Sequence, residues 1–203
     1  MQPPISRILD LSGLSEKEIV AVYPYGSRVY GTAGPQSDYD FIVVHDGASS
    51  NDAQQYDSRT KDLSVHTYHA DSWQRHLFDH KIFAVECHSL MPLDQFKFIL
   101  DKPSLRKEIS SKASNSWVKC KKKLTVEENE YYIGIKSLFH SFRIPMFGIQ
   151  IAEHGKVVDF AAANSIWDEL RDRHDATWDE LKEEYQPRHN ALMSEFRKHA
   201  EKV

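Results

Sequence analysis

Cysteine is scarce in this chain, and its scarcity excludes several classes of protein. Only Cys87 and Cys120 occur among 203 residues, far apart and without the Cys-x-x-Cys spacing of zinc ribbons. A disulfide framework and a cysteine-based zinc site are therefore not expected. The two isolated cysteines instead predict a reducing, cytoplasmic setting.

Long apolar runs and a strong positive charge are also missing. No stretch approaches the roughly 20 apolar residues of a membrane-spanning helix. The first residues, MQPPISRILDLSGLSEKE, lack the basic-then-apolar layout of a signal peptide. These absences predict a protein without membrane partners. The formal net charge is −4, so any nucleic-acid contact requires a local basic patch.

The first half of the sequence has the pattern of an α+β domain. Continuous apolar stretches at 19–22 and 41–44 predict buried strands, and the alternation over 62–67 predicts a further strand. Ser15-x-x-Glu18 is a capping box and predicts the start of a short helix.

The second half is helical by its pattern. A helix is expected over 159–172, another after the capping box that starts at Thr177, and Pro145 is expected to end or kink the helix that contains it. The predicted fold class is thus α+β. Residues 1–100 are expected to form a small mixed β-sheet flanked by helices, and residues 101–203 a helical domain.

One motif in the first half carries chemistry. Gly26-Ser27 is followed, after ten residues, by Asp38 and Asp40. Two aspartates at positions i and i+2 of a strand point to the same face and can share divalent cations. Carboxylate oxygens suit Mg²⁺ or Mn²⁺, and a glycine turn with a hydroxyl suits phosphate oxygens. The pattern therefore predicts a metal-assisted reaction at phosphorus.

The same residues resemble the signature of the polymerase-β-like nucleotidyltransferase superfamily, and particularly its small stand-alone members. The resemblance implies that Asp38 and Asp40 bind two Mg²⁺ or Mn²⁺ ions. It also implies that Gly26 and Ser27 bind the triphosphate of an NTP substrate.

A third carboxylate in that superfamily binds metal and helps to activate the attacking hydroxyl. Asp62 is the best candidate, because it opens a predicted strand on which Ser64 and His66 share a face. Glu86 is the reserve.

Further nucleotide-binding residues are Arg28, Lys136, His140 and Arg143. Arg28 could reach a phosphate or pair with a local carboxylate. Lys136, His140 and Arg143 fall at i, i+4 and i+7 of one helix face. They form either a solvated cationic stripe or a group that contacts the β- and γ-phosphates.

The expected activity is transfer of a nucleoside monophosphate (NMP) from an NTP to an acceptor hydroxyl, with release of pyrophosphate. Segments 136–143 and 155–160 resemble the group associated with RNA ligases, and the lysine-rich segment 102–123 is a candidate RNA contact. An RNA end is therefore the favoured acceptor, in RNA processing or repair. The alternatives are a protein hydroxyl, as in antitoxin-type enzymes, a small molecule, or a catalytically silent nucleotide or RNA sensor.

Overall fold

The strands in the first part of the chain form one mixed sheet. The computed structural model describes residues 3–47, 56–126 and 130–201. Within them the strands are β1 (Ile19–Tyr25), β2 (Tyr39–His45), β3 (Tyr56–Arg59) and β4 (Leu63–His69). Their spatial order is β1-β2-β4-β3, with β2 and β4 parallel and the other two pairings antiparallel. The predicted small mixed sheet is confirmed.

Helices cover both faces of this sheet. They are α1 (Ile5–Ser12), α2 (Ser27–Tyr30), α3 (Ala70–Phe78) and α4 (Ile82–Leu90). Ile8 of α1 packs on a cluster on one face, formed by Phe41, Val43, Leu63 and Val65. Trp73 of α3 stacks on Tyr23 with ring centroids 5.4 Å apart. Tyr23 pairs with Ile42 in the register, so α3 covers the opposite face, since neighbouring residues in a strand alternate.

The sheet is anchored by the continuous apolar sequence of β2. Burial on both faces explains why residues 41–44 lack the alternation of a half-exposed strand. The capping box of Ser15 and Glu18 is also present, and it opens a 3₁₀ turn at Glu16–Glu18 just before β1. Both signals were correctly interpreted from the sequence.

The second part of the chain is helical, as predicted. Its helices are α5 (Lys102–Thr125), α6 (Tyr131–His154), α7 (Asn164–Leu170) and α8 (Trp178–His199). Their core includes large aromatic side chains from three of these helices, among them Phe139, Phe142, Trp167, Trp178 and Tyr185. The chain divides into two compact units, Met1–Phe98 and Ile99–Val203, each with contacts mainly within itself.

Two details of the helical half differ from expectation. α6 continues through Pro145 to His154. A proline inside a helix costs about 3 kcal/mol, and burial of neighbours such as Phe142 and Phe147 offsets this cost. α7 begins at Asn164, later than the helix expected over 159–172. The capping box at Thr177 does start α8, as predicted.

None of the helices in the described ranges is both long enough and apolar enough to cross a membrane.

Candidate active site

The glycine turn lies directly against one of the two motif aspartates. Gly26 follows β1 and has φ 76° and ψ −155°, a backbone conformation that residues with a side chain rarely adopt. A Cβ at this position would lie 2.2 Å from Oδ2 of Asp40. Only glycine therefore leaves room for that carboxylate beside the backbone that leads into Ser27.

The sheet register explains why these residues meet. Asp40 lies in β2, opposite Tyr25 on β1, which is the residue before Gly26. On its other side it pairs with Ser64 of β4, a buried residue. Asp38 directly precedes β2. The predicted closeness of the turn and the Asp-x-Asp motif thus follows from backbone pairing, which holds Asp40 on both sides.

Asp38 is paired with a cation that the sequence did not suggest. Its Oδ2 atom accepts a hydrogen bond of 2.9 Å from Nη2 of Arg59 at the end of β3. The Asp38 side chain is 21% exposed and the Arg59 side chain 71%. The ion pair therefore joins a largely exposed arginine to a mostly covered carboxylate.

Arg28 bonds the chain just before β2. Its Nε donates to the carbonyl oxygen of Asp38 at 3.1 Å, and Nη2 donates to that of Ser37 at 2.6 Å. Its guanidinium also stacks over the ring of Tyr39, 3.8 Å from the centroid. In this structure Arg28 holds the segment that carries Asp38, and its contact with nucleotide stays a prediction.

The backbone of Asp62 lies beside the motif, and its side chain bonds to Arg7 of α1. Its carbonyl oxygen accepts a hydrogen bond of 2.9 Å from the amide of Tyr39. Both carboxylate oxygens bind Arg7, at 2.8 and 2.6 Å, and Thr60 donates a third hydrogen bond. These bonds, chiefly the one from Arg7, lower the pKa of Asp62 to about 2. In the described part of the chain, this carboxylate is not grouped with Asp38 and Asp40 as a metal site.

Glu86, the reserve for the third carboxylate, is buried on α4. Its side chain is 1% exposed, and it accepts a hydrogen bond of 2.6 Å from the hydroxyl of Tyr30. Tyr30 ends the short helix that starts at Ser27. Glu86 therefore supports the glycine turn through α2.

The cations predicted on α6 lie in the second unit, around one histidine. Nε of Arg143 donates to Nδ1 of His140 at 3.1 Å, so this histidine nitrogen carries no proton. Burial, followed by the positive charges of Arg143, Lys136 and Lys119, holds the pKa of His140 well below its usual value. Arg143 is 4% exposed. Three cations thus surround a neutral histidine.

The donors around the motif fit a metal ion that arrives with its substrate. In the part of the chain that the structure describes, no three His, Cys, Asp or Glu side chains are grouped as a metal site. Asp38 and Asp40 supply two hard carboxylates. Mg²⁺ is commonly held by one or two carboxylates, several waters and substrate phosphates. The set therefore suits Mg²⁺ bound together with a triphosphate.

Arg59 escaped the sequence analysis, whereas Ser64 was placed on a strand but not beside Asp40. Residues 56–59, a three-residue connection and the strand from Leu63 are the pattern of a β-hairpin. Recognising that hairpin would have placed Arg59 opposite Ser64. Ser64 lies on β4, the strand next to Asp40.

Comparison with known proteins agrees with this geometry. Residues 10–114, slightly more than half of the chain, match the family model described as a nucleotidyltransferase domain. The match covers β1, the glycine turn, the Asp-x-Asp motif and the whole sheet. No curated protein matches the chain.

Proposed function

Because the chain belongs to the nucleotidyltransferase domain family, we propose that it transfers an NMP from an NTP to an acceptor hydroxyl and releases pyrophosphate. One observation carries the proposal. The carboxylate of Asp40 lies against Gly26, where only a glycine leaves space for it. Metal-binding oxygens and a phosphate-binding turn are then adjacent, as a reaction at the α-phosphate requires.

We assign the metal-binding role to Asp38 and Asp40. Two Mg²⁺ or Mn²⁺ ions, when bound, would neutralise charge at the α-phosphate and lower the pKa of the attacking hydroxyl. The amide and hydroxyl of Ser27, next to Gly26, would donate hydrogen bonds to phosphate oxygens. Arg28 would keep Asp38 in place through its bond to the Asp38 carbonyl.

The reaction forms one bond at phosphorus and breaks one. The acceptor oxygen attacks the α-phosphorus, and the bond from that phosphorus to the oxygen bridging to the β-phosphate breaks. Pyrophosphate leaves with the bonding electrons. The proton of the hydroxyl passes to a carboxylate, for which we propose Asp62. This role requires Asp62 to exchange its partner Arg7 for the reacting groups.

We propose that Lys136 and Arg143 counter the charge of the leaving pyrophosphate. Lys136 suits this role as a mobile point charge and Arg143 as a planar fork of donors. The lowered pKa of His140 supports the assignment, because the charges of Arg143, Lys136 and Lys119 add to the effect of burial there. Because Nδ1 accepts from Arg143, the neutral His140 carries its proton on Nε2 and would donate there without adding charge.

The acceptor we favour is an RNA end. α5 exposes five lysines, at positions 107, 112, 119, 121 and 122. Within this helix Arg106 bonds the carbonyl of Arg197, Lys112 pairs with Glu108 at 4.0 Å, and Lys123 pairs with Glu130 at 3.4 Å. The exposed lysines form a surface for a phosphate backbone, with affinity that falls as salt rises.

The direct test is transfer of label from α-³²P-labelled NTPs, each supplied separately with Mg²⁺ or Mn²⁺. Pooled RNA, proteins of a cell extract and buffer alone serve as acceptors. We expect label on RNA with the wild type. The Asp38→Asn/Asp40→Asn variant should lose at least about 10³-fold, because it removes the electrostatic stabilisation of the transferred phosphoryl group.

Asp79→Asn is the matched control, since it removes an exposed carboxylate of the same unit. It should transfer label at the wild-type rate. Label on protein would name a different acceptor class. Equal transfer by wild type and double variant would contradict the assignment of the two aspartates. Metal-dependent nucleotide binding without transfer to any acceptor would instead favour a nucleotide sensor.

A further inference from the structure

An arginine of the edge strand β3 bonds the carboxylate that we assign to metal binding. Nη2 of Arg59 lies 2.9 Å from Oδ2 of Asp38. In the register, Arg59 pairs with Ser64 of β4, and Ser64 pairs with Asp40 of β2. Residues paired across a sheet share a face. The arginine therefore lies on the same face as Asp40 and reaches across β4 to Asp38.

The charge balance of this face gives Arg59 a role in the nucleotide-free protein. Two aspartates one residue apart repel each other when no cation is bound. A guanidinium stays protonated and neutralises one of them. A metal ion on Asp38 binds the same carboxylate, so the metal and Arg59 compete for its negative charge.

The ion pair between Arg59 and Asp38 can exchange easily. The Arg59 side chain is 71% exposed and extends from the last residue of an edge strand. An exposed ion pair is worth little, because solvent screens it and ordering the side chain costs entropy. Arg59 can leave Asp38 without disturbing the core, and its five donors suit phosphate oxygens.

We propose that Arg59 is the counter-ion of Asp38 in the nucleotide-free protein and moves to a phosphate oxygen when metal and nucleotide bind. This inference rests on the proposed function. The arriving metal repels the guanidinium, while the triphosphate attracts it. Arg59 is then a nucleotide-binding residue that also keeps the empty site electrically balanced.

The test compares Arg59→Gln with Arg75→Gln, a variant that removes an exposed arginine of α3. Electron paramagnetic resonance of free Mn²⁺ measures metal binding without nucleotide. Arg59→Gln should bind Mn²⁺ about two- to fivefold more tightly than wild type, as expected for loss of one exposed competing ion pair. Arg75→Gln should match the wild type.

The second readout is binding of an α,β-methylene NTP in the presence of Mn²⁺, measured by calorimetry. Arg59→Gln should bind this analogue about tenfold more weakly, because it loses one charge-assisted hydrogen bond to phosphate. Arg59→Lys keeps the charge and should fall between wild type and Arg59→Gln. Circular dichroism should show the same fold for every variant.

Each other result overturns a defined part of the inference. Wild-type Mn²⁺ affinity in Arg59→Gln, together with weakened binding in Asp38→Asn, would exclude the counter-ion role. Tighter Mn²⁺ with unchanged analogue affinity would exclude the move to phosphate. If Asp38→Asn changes neither ligand's binding, the proposed metal site itself is wrong, and the role of Arg59 falls with it.

Discussion

The two units hold their proposed site residues in different ways. In the first, Gly26 and Asp40 meet because backbone pairing between β1 and β2 brings them together. In the second, Lys136, His140 and Arg143 meet because they lie about one turn apart on α6. Arg143 is also buried in its unit and bonded to His140. Backbone geometry thus fixes the first group, whereas charge and burial define the second.

This difference decides how each unit responds to mutation. A change in the first unit acts through the position of an atom, and a shift of about 1 Å is enough to impair catalysis. A change in the second unit acts through the pKa of His140 and the local charge, and its effect therefore depends on pH.

Gly26→Ala is the sharpest way to break the first unit's site. The new Cβ would lie 2.2 Å from Oδ2 of Asp40, so the carboxylate must move. We expect transfer activity to fall about 10²- to 10³-fold, because a metal-binding group is displaced. The backbone strain should cost about 1–3 kcal/mol of unfolding free energy. Label transfer and urea unfolding measure the two effects.

Gly13→Ala separates strain from displacement. Gly13 also has a positive φ of 70°, but a Cβ there meets nothing within 4 Å. It should lower stability and leave transfer unchanged. If both variants lose activity to the same extent, the space beside Asp40 is not what matters.

Asp62→Asn tests the proposed proton acceptor in the first unit. If Asp62 receives the proton, as we propose, transfer should fall about 10²-fold, the lower end of what a positioned base contributes. Arg7→Gln breaks the same ion pair and leaves the carboxylate intact. It should keep transfer close to wild type. Equally small losses in both variants would show that Asp62 serves only to hold α1.

Local sequence signals were enough to predict the fold class and to recognise the Asp-x-Asp motif at the start of a buried strand. The apolar run of β2, the glycine turn and the capping boxes at Ser15 and Thr177 are each determined by a few neighbouring residues. Contacts between distant residues were not predictable in this way. The pairs Arg7–Asp62 and Arg59–Asp38 depend on the strand order β1-β2-β4-β3, which no local pattern specifies.

The same reason explains why α6 continues through Pro145, where the helix was expected to end or kink at a local signal. Local propensity predicts a break at a proline, but the burial of one face of α6 is a property of the assembled unit. The bond between Arg28 and the Asp38 carbonyl was also missed, because a backbone acceptor carries no sequence signature.

Lowering the pH affects histidines of both units, and the contribution of His140, the smallest effect expected for a single site, reports on the second unit. The folded-state pKa of His140 lies below its ordinary value of about 6.5. The unfolded chain therefore binds a proton that the folded chain does not, as pH falls through about 6.5. Stability should decrease by up to about 1.4 kcal/mol per pH unit for each such histidine. Burial also lowers the pKa of His45, His88 and His189, which adds to the decrease.

Urea unfolding at pH 7.5 and 5.5 isolates the contribution of His140. His140→Gln should lose less stability on acidification than wild type, whereas His174→Gln, which removes an exposed histidine, should lose as much. Lys136→Gln should lie between them, because it removes one of the charges that depress the pKa of His140. An unchanged His140 titration in Lys136→Gln, followed by NMR, would show that Lys136 does not contribute to the lowered pKa of this histidine. Lys136 would then be a solvated cation, not part of a concentrated site for phosphate.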